Sequence, residues 1–103
     1  MLNKLEYEDY LGQINTKFRL TEMSVDIKLV EVTERKVIPP QEMFSLIFLG
    51  AKDTFIEQKS YKMHHTELGD LELFLVPIAE VAGGYNYEAF FNQLNAGDSG
   101  DQK

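Results

Sequence analysis

The chain predicts a mainly β fold: a small antiparallel barrel or sandwich of about six strands with a short N-terminal helix. Three observations carry this reading. Short segments of alternating apolar and polar residues recur along the chain, separated by brief turns. No helical segments alternate with them, as an α/β fold would require. From Tyr61 to Pro77, a strand-like segment, the turn His65-Thr66-Glu67-Leu68-Gly69-Asp70 and a more apolar strand follow without a spare residue, which is the pattern of a hairpin.

Taken in order, Leu2, Leu5, Tyr10 and Leu11 recur at near-helical spacing in an acidic segment that stops at Gly12. They predict a short helix that lids an open end or edge of the sheet. Lys17–Leu20 reads as a brief strand. In Ser24–Val32, Val25, Ile27 and Leu29 alternate with Asp26 and Lys28, after which Val30 and Val32 carry the apolar phase. One extra residue near Leu29–Val30, a β-bulge, accounts for that flip. Glu34–Gln41 combines charges with Pro39-Pro40 and reads as a connecting loop. Met43–Leu49 is apolar on both faces apart from Ser45, which predicts a central strand covered on each side, or an interface. Gly50–Asp53 turns the chain and Phe55-Ile56 anchors its return. Tyr61, Met63 and His65 then share one strand face, with Lys62 and His64 on the other. Leu71, Leu73 and Leu75 alternate with Glu72, Phe74 and Val76. Beyond a break at Val81–Gly84, Tyr85, Tyr87, Ala89 and Phe91 alternate with Asn86, Glu88 and Phe90. This is a last strand, although Glu88–Leu94 equally fits a helical turn. Residues 1–94 form a single β-rich domain, and 95–103, without a large apolar residue, read as a disordered tail.

Composition narrows the function classes. At 103 residues there is enough apolar content for one core and no second domain. The net charge is −7, and Arg19 and Arg35 are the only arginines, with no basic run, so nucleic acid is not an expected partner. The absence of cysteine removes disulfides, thiolate nucleophiles and Cys-based zinc sites. Lys4, Glu6, Glu8 and Asp9 occupy positions where a signal peptide needs an apolar run. No apolar run approaches the roughly 20 residues of a membrane helix. The expected location is therefore cytoplasmic, with no membrane partner.

Few residues point to chemistry. His64-His65-Thr66-Glu67 has metal-ligand residue types, but adjacent strand residues face opposite sides, so only His65 and Glu67 could converge. The acidic turn Glu67–Asp70 lacks the spaced carboxylates of a calcium loop, and Gly69 and Asp70 suit a tight turn. None of the serines Ser24, Ser45, Ser60 or Ser99 lies in a nucleophile elbow, and Gly83-Gly84 lacks the lysine of a phosphate loop. No catalytic residue, enzymatic activity or cofactor is expected. The aromatic set Tyr85, Tyr87, Phe90 and Phe91 could stack on bases or sugars or form a protein contact, with core packing as the default. Two strands apolar on both faces favour a subunit contact. The expected interaction surface is Met43, Ile47 and Leu49 with Tyr85, Tyr87 and Phe91, and its partner is another protein or a second copy of the chain. The alternative is a small-ligand or metal-binding barrel that uses His65, Glu67 and Tyr61.

Phe18-Arg19-Leu20, Leu29-Val30-Glu31-Val32 and Phe44-Ser45-Leu46-Ile47-Phe48-Leu49-Gly50 recur in order and spacing in a known group of sequences. So do Tyr61, His65, Leu68-Gly69, Leu71–Pro77 and Tyr87-Glu88-Ala89-Phe90-Phe91-Asn92. Over roughly residues 5 to 92 the chain resembles an uncharacterised bacterial family of small domains of unknown function. It departs from that family at Lys59, where glycine is usual before the Tyr61 strand. The resemblance implies no catalytic residues. It implies an association with phage-tail-like or tail-collar genes and a structural or assembly role.

Overall fold

In the computed structural model, which describes residues 5–94, the alternating segments become strands of one antiparallel sheet. The order along the chain is α1 (Tyr7–Leu11), β1 (Lys17–Leu20), β2 (Val25–Val32), β3 (Lys36–Ile38), β4 (Gln41–Ala51), β5 (Lys59–His65), β6 (Gly69–Val81) and β7 (Gly84–Leu94). Neighbouring strands run β2-β1-β5-β6-β7-β4-β3, and an additional β2–β4 pairing closes six of them into a barrel. β3 stands outside the ring and pairs with β4 alone. Closure removes most of the sheet edges that would otherwise template aggregation.

One phase of every barrel strand points inward. Phe18 and Leu20, Ile27 and Leu29, Phe44, Leu46 and Phe48, Tyr61 and Met63, Leu73 and Leu75, and Tyr87 and Ala89 form the buried core. The β2–β4 register runs Leu29↔Phe48 and then Glu31↔Ile47, which leaves Val30 as the extra residue of a bulge. The bulge restores inward phase at Val32, opposite Leu46, as the sequence pattern requires. β6 carries a second irregularity between Pro77 and Ala79, where its pairing with β7 slips by one residue.

The helix lids one end of the barrel. Its first turn is held by Glu6 N–H donating to Asp9 Oδ2 at 2.7 Å. Tyr10 is buried against Phe91 and Phe44, whose rings stack with centroids 4.7 Å apart. Arg35 Nη1 reaches Glu8 of the helix and Glu42 of β4 while its guanidinium lies over the Tyr7 ring. At the opposite end Ile56 plugs the barrel, and its backbone N–H donates to the Tyr87 hydroxyl at 2.9 Å.

One sequence reading is corrected here, and one open alternative is decided. Glu34–Gln41 is not wholly a loop, since Lys36–Ile38 pairs with Gln41–Met43 around a turn containing the cis Pro39–Pro40 bond. Glu88–Leu94 is strand, fixed by pairing with β4 from Ile47↔Glu88 to Gln41↔Leu94. Of the two architectures the alternation allowed, the molecule adopts the barrel. The predicted tail at 95–103, and Leu2 of the predicted helix, lie outside the described residues.

Candidate interaction surface

The side chains that point away from the core decide what the barrel can present. On β4 these are Met43, Ser45, Ile47 and Leu49, and on β7 they are Asn86, Glu88 and Phe90. Glu88 lies between Ile47 of β4 and Val76 of β6 in one cross-strand row, and Phe90 lies beside Ser45 in the next. Phe74 and Phe90 are each two residues past the Val76–Glu88 pair, one on either strand, so both belong to this outer face. Phe90 is 61% exposed, Phe74 50% and the bulge residue Ile78 47%. Within this face Ser45 is buried: its hydroxyl donates to Glu88 Oε2 at 2.5 Å, and its backbone N–H donates to Thr33 Oγ1 at 2.8 Å.

Met43, Ile47 and Leu49, half-buried, sit on this outer face as an interaction surface would need. Tyr85, Tyr87 and Phe91 do not. They share the inward phase of β7, opposite Gly50, Phe48 and Phe44. Tyr87 is 0% exposed, so it cannot contact a partner, and Phe91 is stacked on Phe44. Burial raises the Tyr87 hydroxyl's pKa, against the opposing effect of its bond to Ile56. The expected interaction surface left out the exposed Phe74, Ile78 and Phe90, although Phe90 belonged to the aromatic set considered for a protein contact. The signal for Phe90 was its place in the Asn86–Glu88–Phe90 alternation, but both phases of that strand carry aromatics. Only the β4 register decides which phase is outside.

His65, the centre of the alternative reading, is a buried turn organiser. Its Nδ1 accepts the backbone N–H groups of Glu67 at 3.0 Å and Leu68 at 3.1 Å. Thr16 Oγ1 donates to the Gln13 carbonyl at 2.7 Å, so at 2.8 Å from His65 it accepts the Nε2 proton. Both ring nitrogens are thereby committed, and no lone pair remains for a metal. Glu67 is turned away and accepts from Gln13 Nε2 at 2.8 Å. Tyr61 donates to the Glu57 carbonyl at 2.6 Å. The three residues do not converge. Desolvation lowers the His65 pKa, partly offset by Glu67, while His64 adds to the lowering.

A cleft of about 350 Å³ lies along the β5–β6 hairpin, lined by Thr21, Lys62, Met63, Asp70, Leu71 and Glu72. Lys62 and Glu72 face one another across the strands, and Asp70 is engaged by His64 Nδ1 at 2.8 Å. Among the described residues no three His, Cys, Asp or Glu side chains group as a metal site would need, and no helix is long and apolar enough to cross a membrane.

No curated protein and no solved structure matches this chain. A family model described as a domain of unknown function (DUF6916) matches residues 5–91, and the chain belongs to that family.

Proposed function

We propose that this barrel acts by protein–protein contact and not by catalysis, as an accessory subunit of a phage-tail-like or other bacterial assembly. One observation carries the reading. Phe74 and Phe90 stand exposed on the same outer wall as the half-buried Met43, Ile47 and Val76, near the exposed bulge residue Ile78. Several large apolar side chains grouped on one wall of a small acidic domain mark a surface that a partner covers. The link to tail-like assemblies rests on the family resemblance.

Site-specific photo-crosslinking in the native host tests this, with the reactive group placed at position 90 and, as a control, at position 62 on another strand. Position 90 is expected to give one predominant adduct, with a tail-like structural protein or with a second copy of this chain. Equal labelling from both positions, together with a strict monomer by light scattering at all concentrations, would overturn the proposal.

A further inference from the structure

The outer wall contains a charge where a purely apolar contact would have none. Glu88 is half-buried between Ile47 and Val76, with Phe90 two residues along its own strand. Its carboxylate accepts the Ser45 hydroxyl, and among the described residues no cationic side chain forms an ion pair with it. Two carboxylate oxygens offer about four acceptor positions, so capacity remains toward the outside. Covering this wall with an apolar partner would strip the carboxylate of water without compensation, which is costly. A second copy docked about a two-fold axis over Glu88 would set two carboxylates against each other in the same apolar frame.

We infer that this wall binds a protein segment that presents an arginine or lysine flanked by large apolar side chains, the cation pairing with Glu88 and the apolar groups packing on Phe74 and Phe90. The inference rests on the contact reading above and names the chemistry of its partner. The cation completes the carboxylate that Ser45 holds in place. Guanidinium suits it best, since its planar fork can bond a carboxylate through two N–H groups. The surplus of acidic groups, 17 against 10, favours approach of such a segment over an acidic one.

The test is a selection from a displayed library of random 12-residue peptides against the full chain, run in parallel on Glu88→Gln and on the double variant Phe74→Ser/Phe90→Ser. Circular dichroism verifies that each variant is folded. Peptides enriched on the natural chain should carry a basic residue among apolar ones. Their binding should fall tenfold or more on Glu88→Gln and be lost on the double variant. Peptides that need Phe74 and Phe90 but are indifferent to Glu88→Gln would overturn the charge inference and leave the contact reading standing. Enrichment insensitive to both variants, or none at all, would overturn both.

Discussion

A single hydroxyl shows how tightly the interior is specified. Tyr87 is fully buried, and its oxygen accepts the Ile56 N–H at the plugged end of the barrel. Tyr87→Phe keeps the ring but orphans that donor, and should cost about 1–3 kcal/mol, read as a lower urea midpoint with an unchanged slope. Gly50 faces the same ring across β4 and β7, where an added Cβ would lie 2.9 Å from Tyr87 Cε2. The alternation of Tyr85, Tyr87 and Phe91 was legible in the sequence, but its direction was not. Period-two patterning assigns residues to the same side without saying which side is inside, and Phe90 competed with Phe91 for the core. His65 was legible only as packing beside Tyr61 and Met63. Its function as acceptor for Glu67 and Leu68 N–H groups depends on a turn that no spacing rule reveals. Because its folded pKa lies below 6.5, the unfolded chain takes up the proton first. Stability is then full above pH 6.5 and declines as pH falls through the folded value. Urea midpoints measured from pH 7.5 to 5 should show this decline, and His65→Gln should flatten it.

At the scale of elements, the helix is more than a cap on the chain. Tyr10 packs from α1 against the stacked rings of Phe44 and Phe91, and burial first, then the Asp9 charge, pushes its pKa up to about 12. The raised value means that folding opposes ionisation. The lid's contribution is complete below pH 10 and is lost as pH rises toward 12. Tyrosine absorbance during an alkaline titration should therefore show a late component, shared with the buried Tyr87, that Tyr10→Phe reduces; an unchanged curve would mean the lid is loose. The helix itself, its stop at Gly12 and the bulge at Val30 were readable because each leaves a mark on hydrophobic phase. β3 left none. All its residues are exposed, it is three residues long, and Pro39-Pro40 follows at once, so it is a strand only through its pairing with β4. The outer β6–β7 wall was missed for a related reason: whether Phe74 is covered depends on where β6 leaves β5 for β7, a property of three strands together.

For the molecule as a whole, barrel and sandwich place the same demand on alternation, and the sequence could not separate them. What separates them is the contact of β2 with β4, which closes the ring. That ring is not uniform. β4 and β7 pair from Gln41–Leu94 to Ala51–Gly84, whereas β1 and β5 pair only at Arg19–His64 and Leu20–Met63. Thr21 N–H donates to the Lys62 carbonyl at one side of this short seam, and the Thr16–His65 bond spans it at the other. Hydrogen exchange should therefore release the Thr21 amide well before the central amides of β4 and β7, and acid, by protonating His65 Nδ1, should speed exchange of the Glu67 and Leu68 amides after correction for intrinsic rates. Equal protection across the sheet would show that the ring opens only as a unit. A closed barrel is usually regarded as a container whose walls give way together. This one has a zip, a two-pair seam between β1 and β5 that can part along one line while the β4–β7 wall that carries Phe90 keeps its shape.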